Sequence, residues 1–104
     1  MGKRHRRAHL SGYVVLMLHL VKWEFQPERR SRSWINTIKR ERVRIAVREA
    51  SSSDLRTMAE SQMDAIFGRA VRLASQETRL PLSTFPDTCP YTIQELRDRD
   101  FLPE

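Results

Sequence analysis

The chain lacks most of the features that reveal a mechanism at sight. It has one cysteine among 104 residues, Cys89, so no internal disulfide can form, and a lone thiol fits a reducing cytosol. It has only three glycines. None belongs to a Gly-x-Ser-x-Gly elbow, a phosphate-binding loop or a dinucleotide fingerprint, and no His-Glu-x-x-His occurs. There is no strand signal, internal repeat or low-complexity segment. The longest apolar stretch, "LSGYVVLMLHLV", is interrupted by His19 and falls short of the roughly 20 residues a membrane span needs. The basic start "MGKRHRRAH" imitates a signal peptide, but no small-residue cleavage site follows. Neither export nor insertion is expected; a cytoplasmic protein is.

Acidic residues are scarce in one half. Residues 1–48 hold thirteen Lys/Arg against three Asp/Glu, and residues 49–104 hold six against ten. The halves carry net charges of +10 and −4 within a total of +6. Such asymmetry suggests an anionic partner for the first half. Apolar residues make up 39%, a globular proportion that lets a single domain over residues 1–104 bury one core.

Helical periodicity dominates the rest. Residues 5–25 read as a helix: Leu10, Val14, Met17 and Val21 share a face, and Tyr13, Leu16, Leu18 and Leu20 widen it until most of the circumference is apolar. Such a helix is central in its bundle. Pro27 stops it. A second helix is expected over 34–49, capped by Ser33 or Ser31, with Ile35, Ile38 and Ile45 on one face and arginines around the rest. A third is expected over 54–78, with Ser51 and Asp54 as a capping box and Ala59, Met63, Ile66, Phe67, Ala70, Leu73 and Ala74 as its apolar stripe. Gly68 within it suggests close helix packing. Residues 79–91 carry three prolines and must form an extended strap, pinned by Leu80, Leu82 and Phe85. Thr92 and Glu95 then make a capping box for a short helix over 92–99. The expected fold is an all-α bundle of three main helices, a strap and a short terminal helix.

Candidate sites are few. His5 and His9 stand four apart on the first helix, but the cations beside them oppose a metal, so they read as a solvated basic tail. His19 reads as a hydrogen-bonded core histidine, and Cys89 as a small buried residue, although the nearby helix start could in principle activate it. No metal site, cofactor or catalytic residue is assigned. The arginines are the strongest polar signal. Arg29, Arg30 and Arg32 precede the second helix, with His19, Trp23 and Trp34 nearby, and form a candidate anion or partner contact. Against this stands the plainer reading of tryptophans as corner anchors with arginines around them. Lys3, Arg4, Arg6 and Arg7, with Lys39, Arg40, Arg42 and Arg44, form a candidate nucleic-acid contact.

"LMLHLVKWEFQPERRSRSWINTI" and "LASQETRLPLSTFPDTCPYTIQELRDRDFLPE" together resemble the bacterial family called Domain of Unknown Function 29. The matching landmarks are His19 to Trp23, Gln26-Pro27, Arg30 to Trp34, Phe85-Pro86 to Thr92, and Phe101-Leu102-Pro103. The resemblance implies an all-helical fold and no established activity. Three departures stand out. Family members usually carry a further segment, including an acidic helix, before the position of Met1, so the chain is expected to be truncated relative to them. A usual glycine is Arg79 here, and a usual tyrosine is Phe67. Truncation would expose an apolar and a basic face together, which calls for a partner. The expected role is therefore a protein-interaction or self-association module working through its first two helices. The alternatives are nucleic-acid binding through the basic half and a small-anion or enzyme site at the Trp23 and Arg29–Trp34 corner.

Overall fold

The computed structural model describes residues 3–104, apart from the side chain of Lys3. The expectation placed on that side chain lies outside the described residues. The elements are α1 (Lys3–Phe25), α2 (Arg32–Ser51), α3 (Ser53–Ser61), α4 (Met63–Thr78) and α5 (Ile93–Arg97), with short 3-10 turns at Pro27–Arg29 and Leu82–Thr84. No strand occurs among the described residues, and the architecture is the all-α bundle expected.

The apolar circumference of α1 makes it the hub. Tyr13, Leu16, Met17, Leu20 and Val21 are fully buried, because α2 and α4 flank α1 and α3 also touches it. At 25 cal/mol per Å² of apolar surface, burying each large side chain contributes about 1.5–3 kcal/mol. Gly12 allows α2 its close approach: a Cβ there would lie 2.5 Å from Arg48 Nη2 and 3.4 Å from Glu41 Oε1. Gly68 has no such role. A Cβ on it would meet only Arg72 Nη1 of its own helix, at 3.6 Å, which corrects the packing expected there.

Pro27 stops α1 and opens the first 3-10 turn, since its missing N–H costs nothing at a helix start. Ser31, the earlier of the two candidate caps, begins α2 by accepting from the Trp34 N–H at 3.3 Å. The other boundary moves as well. Ser51 is the last residue of α2 and donates back to Val47 O, while Ser52 caps α3 through the Leu55 N–H at 3.2 Å. The capping box expected at Ser51 and Asp54 is thus replaced by a single cap one residue on.

The expected third helix is two helices. Ser61 Oγ donates to Met58 O at 2.8 Å, and the Gln62 N–H turns to Ala59 O at 3.2 Å. A serine that takes a carbonyl from its own last turn competes with continued helix, so α3 ends there and α4 starts afresh. The apolar stripe survives the break: Ala59, Ile66, Phe67, Ala70 and Ala74 are all buried.

Arg79 closes α4 in the left-handed region, at φ 61°. This is where the family resemblance expects glycine, and the backbone explains why. Phe85 pins the strap against Phe25, edge to face at 5.6 Å. Buried Tyr91 donates to Glu24 at 2.7 Å. Leu82, expected to pin the strap, is instead 54% exposed, because it rides on the outer side of its 3-10 turn. The Thr92–Glu95 capping box forms in both directions at 3.0 Å. The helix it starts ends at Arg97, shorter than expected. No helix among the described residues is long and apolar enough to cross a membrane.

Candidate partner-binding groove

A buried polar knot holds the far end of the bundle together. His9 is fully buried. Its Nε2–H donates to Glu49 at 3.0 Å, and its Nδ1 accepts from Arg48 Nε at 2.9 Å. Those two bonds fix a neutral imidazole in one tautomer, and burial holds its pKa below the usual value despite Glu49. The basic-tail reading of His9 is therefore corrected: the tail ends at Ala8, and His9 is core. His5 stays exposed, so the two histidines never share a site.

Glu49 is the centre of the knot. Tyr13 donates to it at 2.6 Å, Arg97 Nε at 2.9 Å and Arg97 Nη2 at 3.2 Å. Arg97 also reaches Glu60 at 2.8 Å and Arg56 O at 3.2 Å. Burial pushes the Glu49 carboxyl up, but the bonds from Tyr13, Arg97 and His9 outweigh it and hold it low. A carboxylate that accepts four hydrogen bonds and is held low is a poor base and a good anchor. The knot ties α1, α2, α3 and α5 together; it is structural chemistry.

Arg42 performs a second tie. It is buried to 4% exposure. Its three nitrogens donate to Leu96 O at 2.9 Å, Phe101 O at 2.8 Å and Glu95 O at 3.1 Å. Those carbonyls belong to the end of α5 and the tail behind it. Arg42 thus turns inward to clamp the C-terminal segment, which corrects its assignment to nucleic-acid contact.

The clamp creates the main surface feature. Between α2 and the clamped segment, three hollows of about 260, 250 and 240 Å³ follow one another. The first two share Lys39, Arg42, Arg99 and Asp100, and Arg42 continues into the third. Ile35, Val43, Ala46 and Ala50 supply the α2 wall, at a spacing that puts them on one helix face. Val43 is 49% exposed and its neighbour Val47 62%. At about 1.5 Å per residue, Ile35 to Ala50 spans about 22 Å, room for roughly four turns of another helix. The opposite wall carries Leu102 at one end and Arg56 at the other. Exposed Lys39, Arg40 and Arg44 crown α2; the latter two share Glu41 at 3.8 and 3.5 Å.

The arginine corner adjoins this groove. Arg30 lies over the Trp23 ring at 4.7 Å, donating through Nε to Trp23 O at 2.8 Å and through Nη2 to Glu104 O at 2.7 Å. Arg32 is exposed at the start of α2. Arg29 is separate: it borders a different hollow, with Glu77 and Arg79. Trp34 is half-buried beneath Lys22 Nζ at 4.8 Å. His19 Nδ1–H donates to Val15 O at 2.8 Å, and burial lowers its pKa, the hydrogen-bonded histidine expected. Arg4, Arg6 and Arg7 are exposed on the first turns of α1, far along the helix from the corner. Cys89 is half-buried against Met17 Sδ and Tyr91 O, and burial pushes its thiol up. No group of three His, Cys, Asp or Glu that could hold a metal ion occurs among the described residues.

The knot escaped sequence reasoning, yet a signal existed. Ile38, Arg42, Ile45 and Glu49 stand at i, i+4, i+7 and i+11, so two opposite charges fall on an apolar face. Charged residues on such a face are rarely left unpaired.

Fold and surface together define a small helical bundle with an open groove beside α2. The sequence profile of the family described as "Domain of unknown function DUF29" matches residues 1–102, and the chain belongs to that family. No curated protein and no solved structure matches it.

Proposed function

We propose that this protein is a bacterial, cytoplasmic protein-interaction module that binds an acidic, amphipathic helix of a partner protein in the groove beside α2. The observation that carries this reading is the apolar stripe Ile35, Val43, Ala46 and Ala50, which lines the three adjoining hollows. Helix-in-groove recognition uses such a stripe to receive apolar anchors at i, i+3, i+4 and i+7. The alanines let a second backbone approach closely. Charge selects the occupant: α2 carries six Lys/Arg against two Glu, and both of its glutamates are engaged internally. Acids flanking the partner's stripe would meet Lys39 and Arg99, favouring encounter and register. A nucleic-acid reading draws less support, because Arg42 faces inward and Arg40 and Arg44 already share Glu41. The single cysteine accords with a reducing compartment.

The test uses two synthetic helical peptides of about four turns. They share one leucine stripe and differ in their flanks, glutamate in one and lysine in the other. Fluorescence anisotropy should show the acidic peptide bound, the basic one not, and binding weakened by salt. Val43→Asp should weaken binding by at least about tenfold. Equal binding of both peptides, or no effect of V43D, would refute the reading. So would sedimentation showing a dimer that V43D dissociates, since the groove would then belong to a second copy.

A further inference from the structure

We propose that the cleft between the end of α1 and the start of α2 is a binding site for a small phosphate monoester whose body is apolar or aromatic. The cleft is open to solvent and spans about 520 Å³, roughly twice each hollow of the groove. Its two kinds of wall match the two halves of such a ligand. Trp23 and Ile35 offer an aromatic and an aliphatic surface. Arg30, Arg32 and Lys39 offer three cations, with Ser31 and Asn36 as neutral hydrogen-bonding groups between them.

The charge distribution argues for a ligand. The lining gathers Arg30, Arg32 and Lys39 and includes no aspartate or glutamate. In the cleft, Arg32 and Lys39 have no ion-pair partner among the described residues. They are seven residues apart on α2 and so share a face. Three like charges gathered without an acid repel one another, and a dianion placed among them removes that repulsion.

The geometry is also prepared in advance. Arg30 is stacked on Trp23, and two of its nitrogens are committed to the main-chain oxygens of Trp23 and Glu104. Its plane is therefore set, and Nη1 remains for a ligand oxygen. A fixed guanidinium loses little freedom on binding an oxyanion. Arg32 and Lys39 close on the remaining oxygens from the α2 side. An aromatic body then lies against Trp23 and Ile35. The site is distinct from the groove, which it meets at Ile35 and Lys39, so groove variants at Val43 leave it intact.

The experiment takes the Trp34→Phe variant, in which Trp23 is the sole tryptophan reporter, and titrates its fluorescence with phenyl phosphate and with inorganic phosphate. The expected result is saturable quenching, with phenyl phosphate the tighter ligand. Adding R32Q and K39Q, both on exposed side chains, should weaken phenyl phosphate by about tenfold or more, with an unchanged helical circular-dichroism spectrum. No saturable response, an equal response in the R32Q/K39Q protein, or inorganic phosphate binding as tightly as phenyl phosphate would each overturn the assignment. Tighter binding of a single-stranded oligonucleotide, lost in R32Q/K39Q, would overturn it in favour of nucleic acid.

Discussion

Replacing Glu49 with glutamine leaves size and shape almost unchanged and removes one charge, so it isolates what the buried knot contributes. Glu49 accepts from His9, Tyr13 and twice from Arg97, and its side chain is only 6% exposed. A glutamine amide has one acceptor oxygen and one NH₂ donor. If the oxygen faces His9 and Tyr13, the NH₂ meets the Arg97 Nε–H; if it is flipped, the NH₂ meets the two donors from α1. No orientation satisfies all four. Breaking a buried pair by removing one partner costs about 3–5 kcal/mol. Arg97 retains Glu60, which places the expectation near the lower end, about 3 kcal/mol. Against a typical total of about 5–15 kcal/mol this is a large share. Urea unfolding followed by circular dichroism should show a midpoint lower by about 2 M, for a slope of about 1.5 kcal/mol per M. The melting temperature should fall by about 12–24 °C. A change under about 0.5 kcal/mol would refute the anchoring role and mean that the four bonds merely replace equally good ones to water.

Acid should unfold the protein in two stages. The folded pKa of His9 is lowered, so its neutral form contributes stability that is present above the unfolded value of about 6.5 and is lost as pH falls toward the folded value. That of Glu49 is also lowered, so its contribution persists to below about pH 4.5 and fades as pH falls through the folded value. Between these values the loss belongs to the histidines, up to about 1.4 kcal/mol per pH unit for each proton taken up; His9→Gln should flatten that slope while leaving the part due to His19, and an unchanged slope would clear His9. Arg42→Met should cost about 2–4 kcal/mol by orphaning the Leu96 and Phe101 carbonyls and leaving Glu95 O only the Asp98 N–H, and should make the chain after Leu96 the first site of protease nicking, read by mass spectrometry. Arg79→Gly should stabilise by up to about 1 kcal/mol, because it removes a side chain from a left-handed position; a lower urea midpoint would contradict this. Cys89 should react with a thiol reagent far more slowly in the folded than in the unfolded protein, as its burial and raised pKa require.

The sequence was most legible where one local force dominates. Period and proline placed α1, its stop and α2, and hydroxyl–carboxyl spacing placed the Thr92–Glu95 cap. These depend on residues within a turn or two of one another. The break at Gln62 was harder to see, since the apolar stripe runs straight across it and only a serine's competing hydrogen bond divides the helix. Arg42 and His9 were misread for a different reason. Each sits among cations in the sequence, and nothing local distinguishes a solvated charge from one turned inward to carbonyls or a glutamate on another helix. Their partners lie 53 to 59 residues away for Arg42, and 39 and 40 for His9. The groove, too, exists only because the C-terminal segment folds back along α2.

The bond from Arg97 to Tyr13 spans 84 positions of the chain, and that distance sets an order of events during synthesis. The helix with the greatest need of cover emerges 84 positions ahead of the arginine that ties it to α5. At about 5–20 residues per second, α1 waits roughly 4–17 s for that last tie. Through that interval its apolar circumference depends for cover on what α2, α3 and α4 have already wrapped around it. A nascent chain of this protein is therefore a natural client for holding chaperones, and its yield in cells should depend on translation speed as well as on the stability of the finished fold.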